Sequence, residues 1–98
     1  MAFTILNLAW RIDGLKSSTK FVLVSLSDYA NDKDHTCYPS LKTIAQRTGL
    51  SRSSVKREIK NLEALEIISH VQRCYSDGNL TSNLYTINVS RLEEIISF

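Results

Sequence analysis

Gly49 divides the stretch "IAQRTGLSRSSVKREIKNLEAL", residues 44–65, into two amphipathic segments, and that division limits the fold more than any other feature of the chain. Before it, Pro39 and Ser40 signal a helix start, with Ser40 as N-cap, and Leu41, Ile44 and Ala45 form a short apolar stripe. Gly49 suits the left-handed position that closes such a helix. After it, Ser51 caps a longer helix running to about Leu65. On a helical wheel Val55, Ile59 and Leu62 cluster on one side, while Ser53, Lys56, Arg57 and Lys60 face the other. Glu58 lies off that exposed side. Two helices with a glycine turn between them, the second longer and basic, are the parts of a helix-turn-helix.

Charge is concentrated on the same stretch. From Lys42 to Lys60 the chain carries six basic residues and one acid, a net of +5, while six basic and nine acidic residues elsewhere net −3. An overall charge of +2 therefore conceals one positive face, as expected where a protein meets a polyanion. With 43% hydrophobic and 22% charged residues, three Gly and one Pro, the 98 residues have the composition of one compact domain, not of a disordered tail.

The flanking segments complete the outline. "TILNLAWRI" forms a short helix or arm that Gly14 ends, with Ile5, Leu6 and Trp10 as its apolar contacts. "SSTKFVLVSLSDYAND" reads as a core helix capped by Ser17 or Ser18, with Val22, Leu26, Tyr29 and Ala30 in helical register and Phe21 and Leu23 broadening the stripe. A polar loop leads to a residue or two of extended chain before Pro39. Beyond Leu65, "EIISHVQRCY" and "SNLYTINV" read as strands joined by the turn "SDGN". "SRLEEIISF" then opens with Ser90 and Glu93 in capping-box spacing. Its apolar face packs on its own domain or on a partner. Trp10, Phe21, Tyr29, Tyr38 and Tyr85 are assigned to core packing, not to base stacking.

The order helix, short strand, helix, helix, strand, strand is that of a winged helix. The predicted class is α+β, mainly α, a winged helix-turn-helix with a two- to three-stranded antiparallel wing and extra N- and C-terminal helices. The helix-turn-helix spans 40–65, the wing 67–89 and the C-terminal helix 90–98. A helix fits the major groove of B-DNA, its early residues reaching base edges while the preceding helix crosses the phosphates. The candidate DNA-binding residues are Ser40, Lys42, Arg47, Ser51, Arg52, Ser53, Ser54, Lys56, Arg57 and Lys60, with Arg73 and Asn79 in the wing. Arg57 is the candidate for bidentate contact with guanine, Ser53 and Ser54 for a base or phosphate, and Lys56 and Lys60 for phosphates. The wing tip "SDGNLTSN" holds Asp77 and no Lys or Arg, which makes the wing a light contact.

"KFVLVSLSDYAND", "CYPSLKTIAQRTGLSRSSVKREIKNLEALEII" and "GNLTSNLYTI" together resemble the helix-turn-helix domain of phage and plasmid replication proteins over residues 20 to 88. That pattern resembles K-x-V-L-x-x-L-x-D-x-A, then W-P-S-x-x-x-L-A-x-x-x-G-x-S-x-x-T-V, then a leucine and a glycine before the wing, and S-N-x-Y at the last strand. Tyr38 stands for its Trp, Ile44 for a Leu, Ser54 for a Thr, and Glu66 for the Gly after the second helix. The resemblance implies a duplex-DNA module, often the origin-binding domain of a mobile element's replication initiator, with relatives acting as regulators. A transcriptional repressor of the same fold and a protein-interaction winged helix remain alternatives.

Chemistry beyond binding has little support. The chain lacks a Walker-type Gly-Lys-Ser/Thr, a primase-like acidic cluster and a nuclease motif, so a non-enzymatic protein without a cofactor is expected. His35 and Cys37 with His70 and Cys74 lack the usual spacing of a structural zinc site. Two thiols without a C-x-x-C suit a reducing cytoplasm. The N-terminus lacks the basic and cleavage regions of a signal peptide, and no stretch is long enough to span a membrane. Expected partners are double-stranded DNA, a second copy as a homodimer or in tandem on repeated sites, and a fused or replisome partner domain. The 98 residues fit a piece cut from a longer chain as well as a whole one.

Overall fold

A computed structural model describes residues 3–31, 33–72 and 83–97. Five helices and three strands follow in the order α1 (Phe3–Arg11), α2 (Ser17–Tyr29), β1 (Thr36–Cys37), α3 (Leu41–Thr48), α4 (Arg52–Ala64), β2 (Ile68–Val71), β3 (Leu84–Ile87) and α5 (Val89–Ser97). The sheet is antiparallel with order β1-β3-β2. Thr36 faces Thr86 and Cys37 faces Tyr85 on one side of β3, while Ile68 pairs with Ile87 and Val71 with Leu84 on the other. The expected class, a mainly helical winged helix with extra terminal helices, is the observed one, and the antiparallel sheet has three strands, the upper of the two numbers expected. The turn "SDGN" lies outside the described residues.

One continuous core joins these elements. Val22, Leu23 and Leu26 of α2 meet Ile44 of α3, Val55, Ile59 and Leu62 of α4, Tyr85 and Ile87 of β3, and Leu92 of α5. Ile5 and Ala9 of α1, with Ile12 just beyond it, close the far side. The amphipathic α5 packs on α1, so its apolar face is used within the same core.

Several local expectations change. α2 starts at Ser17 with Lys16 in the N-cap position and no side-chain cap, because the Ser18 hydroxyl is turned to Glu58 of α4. α5 begins one residue before Ser90: Asn88 supplies the cap, its Oδ1 accepting from the Arg91 N–H at 3.2 Å. Of the five aromatic residues assigned to the core, only Tyr85 is buried. Trp10, Phe21, Tyr29 and Tyr38 are 52%, 49%, 39% and 64% exposed. The apolar arc of each helix is wider than the arc it buries. Thr19, Val22, Leu23, Leu26 and Ser27 face inward on α2, and Phe21 points about 160° from their centre. Trp10 likewise stands off the line of Ile5 and Ala9. With Leu6 and Val24, Trp10 and Phe21 line an open depression to which Asp28 and Arg47 also contribute.

Candidate nucleic-acid interface

The turn between α3 and α4 fixes where the basic face points. Ser40 caps α3, its Oγ accepting from the Thr43 N–H at 3.1 Å, and Gly49 ends the helix at φ 76°, its N–H donating to the Ala45 carbonyl at 2.9 Å. That positive φ reverses the chain within two residues at no steric cost to glycine. Ser51 then caps α4 by accepting from the Ser54 N–H at 3.1 Å. Both caps lie where the sequence places them.

Val55, Ile59 and Leu62 fasten α4 to the core, so Arg52, Ser53, Lys56, Arg57 and Lys60 are exposed. Arg52, Lys56 and Lys60 have no ion-pair partner among the described residues. Ser51 and Ser54 are tied to each other, with 3.0 Å between their hydroxyls, whereas Ser53 is open to solvent. Six of the sequence-predicted residues thus lie on the first nine positions of α4, with Ser51 as its cap.

The others divide. Ser40 and Lys42, at the start of α3, share a recess with Arg52 and Asn83, the residue leading into β3. Arg47 is turned away from α4: its guanidinium bonds Asp28 at 2.5 Å and lies over the Tyr29 ring, 5.0 Å from its centroid. The Asp28 hydrogen bond holds the Arg47 pKa above its ordinary value. Arg73 and Asn79 lie outside the described residues.

Sequence reasoning missed Asn83, Lys16 and above all Glu58. Glu58 is fully buried on α4, accepting hydrogen bonds from Ser18, from Thr19 at 3.1 Å and from Asn61 at 2.7 Å. The Ser18 bond, helped by Asn61, Thr19 and the charge of Lys16, lowers its pKa against the opposing effect of burial. Its position at the edge of the apolar arc was the one available signal.

Behind the interface, α4 leads into β2 through Glu66, which takes φ 62°. Asn88 and Arg91 bind the carbonyls left open there: Asn88 Nδ2 donates to Glu66 O at 3.2 Å and Arg91 Nε to Leu65 O at 3.0 Å. α5 is thereby locked to the end of α4 and the start of the wing.

Comparison with known proteins agrees with this arrangement. A family model described as a helix-turn-helix domain matches residues 13–68, from just before α2 to the start of β2. The chain belongs to the helix-turn-helix domain family. This helix-turn-helix domain is 35% identical over 66 residues to Protein YmfN of Escherichia coli K12; the match takes in 67% of the chain but only 14% of YmfN. It is also similar to the solved structure of a "possible transcriptional regulator" from Methanosarcina mazei Go1, with a TM-score of 0.56 and 18% identity over 97% of this chain and 76% of that one. Family and fold together are those of a winged helix-turn-helix DNA-binding domain. Among the described residues no group of His, Cys, Asp or Glu could hold a metal ion, and no helix is long and apolar enough to cross a membrane.

Proposed function

We propose that this domain reads specific duplex-DNA sequences, with α4 in the major groove, and that it acts in the cytoplasm without catalysis of its own. One observation carries the reading: α4 buries Val55, Ile59 and Leu62 and presents Arg52, Ser53, Lys56, Arg57 and Lys60 to solvent. In this proposal Ser53 addresses a base edge, while Lys56, Arg57 and Lys60 hold phosphates. Lys42 and Arg52, beside the capped start of α3, suit a further phosphate. A single module offers a small interface, so tight binding requires two copies, as a dimer or on repeated sites.

The residue pattern over 20 to 88 resembles that of mobile-element replication proteins, which makes an origin-binding domain the first reading of the process. A transcriptional repressor of the same fold fits the α4 face at least as well, and the Methanosarcina mazei structure of this fold is described as a possible transcriptional regulator. Selection of bound sites from random duplex DNA tests the shared claim, and enrichment no better than chance contradicts it. Mapping the selected sites onto the source genome then separates the two uses: repeats clustered at an origin support the first, sites overlapping promoters the second.

A further inference from the structure

The geometry points to a phosphate-binding pair formed by Lys16 and Arg57 across the contact between α2 and α4, extending the DNA track beyond the helix-turn-helix itself; this rests on the proposed DNA-reading role of α4. Lys16 occupies the N-cap position of α2, far in sequence from residues 40–65. Its Nζ lies 3.9 Å from Glu58 Oε2, and the Arg57 guanidinium lies 3.8 Å from the same oxygen. Both cations therefore converge on one point, within a span that a single phosphate group can bridge.

Glu58 does not consume them. Its Oε1 accepts from Thr19 and Asn61 and its Oε2 from Ser18, so the buried carboxylate is satisfied by neutral donors. The two cations stand beyond hydrogen-bond length from it, and their side chains are 66% and 61% exposed. The two cations are held to Glu58 only at 3.9 and 3.8 Å and without a hydrogen bond, so each is free to turn to a phosphate oxygen while the carboxylate keeps its neutral donors. Two cations against one carboxylate leave a net positive charge, matched to one phosphodiester. The positive end of α2, which has no side-chain cap, adds to the attraction.

The test uses the full chain and a duplex obtained by selection, with affinity measured over a salt series for wild type, Lys16→Ala, Lys16→Arg, Arg57→Ala, the Lys16→Ala/Arg57→Ala double variant and Lys60→Ala. Far-UV circular dichroism confirms that each is folded. Lys16→Ala is expected to weaken binding several-fold, equally on selected and unrelated duplexes, and to make the slope of log K against log[salt] shallower by about 0.9. Lys16→Arg retains both values. The losses from Lys16→Ala and Arg57→Ala combine to less than their sum, because both side chains act on one phosphate. Additive losses would overturn the pairing. Lys16→Ala without effect, while Lys60→Ala lowers the slope, overturns the pair and leaves the α4 reading standing. If no variant changes binding, both fail.

Discussion

Thr19 of α2 donates its hydroxyl to Glu58 of α4 across 3.1 Å in the protein interior, tying the first turn of one core helix to the middle of the candidate recognition helix. A carboxylate buried on the helix that carries the basic face is retained because Ser18, Thr19 and Asn61 satisfy it.

Glu58→Ala strands the buried Thr19 hydroxyl and leaves a void, and is expected to destabilise the fold by about 3 kcal/mol. Glu58→Gln keeps an acceptor and costs about 1 kcal/mol. The pH dependence separates charge from shape. The folded pKa of Glu58 is below its ordinary 4.5, so its contribution is fully present above that value and is lost as pH falls through the lower folded one. Wild type should lose stability over that acid range in urea titrations, and Glu58→Gln should lose less.

Glu66 and Gly49 make opposite predictions from similar backbone angles. Glu66 holds φ 62° with a side chain that the left-handed region disfavours, at the position where the resembling pattern carries Gly. Glu66→Gly should raise stability by about 1 kcal/mol, seen as a melting temperature several degrees higher. At Gly49, φ 76°, an added Cβ meets nothing within 4 Å. Gly49→Ala therefore costs only the backbone term, about 1 kcal/mol, with DNA affinity of the folded protein unchanged.

Cys37 is 2% exposed, and burial pushes its thiol pKa up to about 12. Native Cys37, in a Cys74→Ser background, should react with iodoacetamide at pH 8 slower by on the order of 100-fold than in urea. Equal rates in the two states would show that β1 does not bury it.

Most of the fold was legible because its local signals agree with its packing. Ser40, Gly49 and Ser51 each perform the capping or turning role that their chemistry predicts, and Val55, Ile59 and Leu62 lie on the buried face. What escaped the sequence depends on contacts between distant segments. Ser18 caps nothing because Glu58, 40 positions away, takes its hydroxyl. Trp10 and Phe21 are apolar yet exposed, since hydrophobicity alone does not say how wide an arc a helix buries. Of the candidate site, the face of α4 follows from helical periodicity. Lys16 and Asn83 join its surroundings only through the packing of α2 and β3.

The most direct measurement is the affinity for a selected duplex over a salt series, in wild type and in Arg57→Ala/Lys60→Ala. If about four phosphates are neutralised per domain, log K should fall with log[salt] at a slope near −3.6, and the double variant should remain folded, bind far more weakly and show a shallower slope. Wild-type binding that ignores salt, or a double variant that binds as tightly as wild type, would contradict the assignment of α4 as the DNA-reading helix.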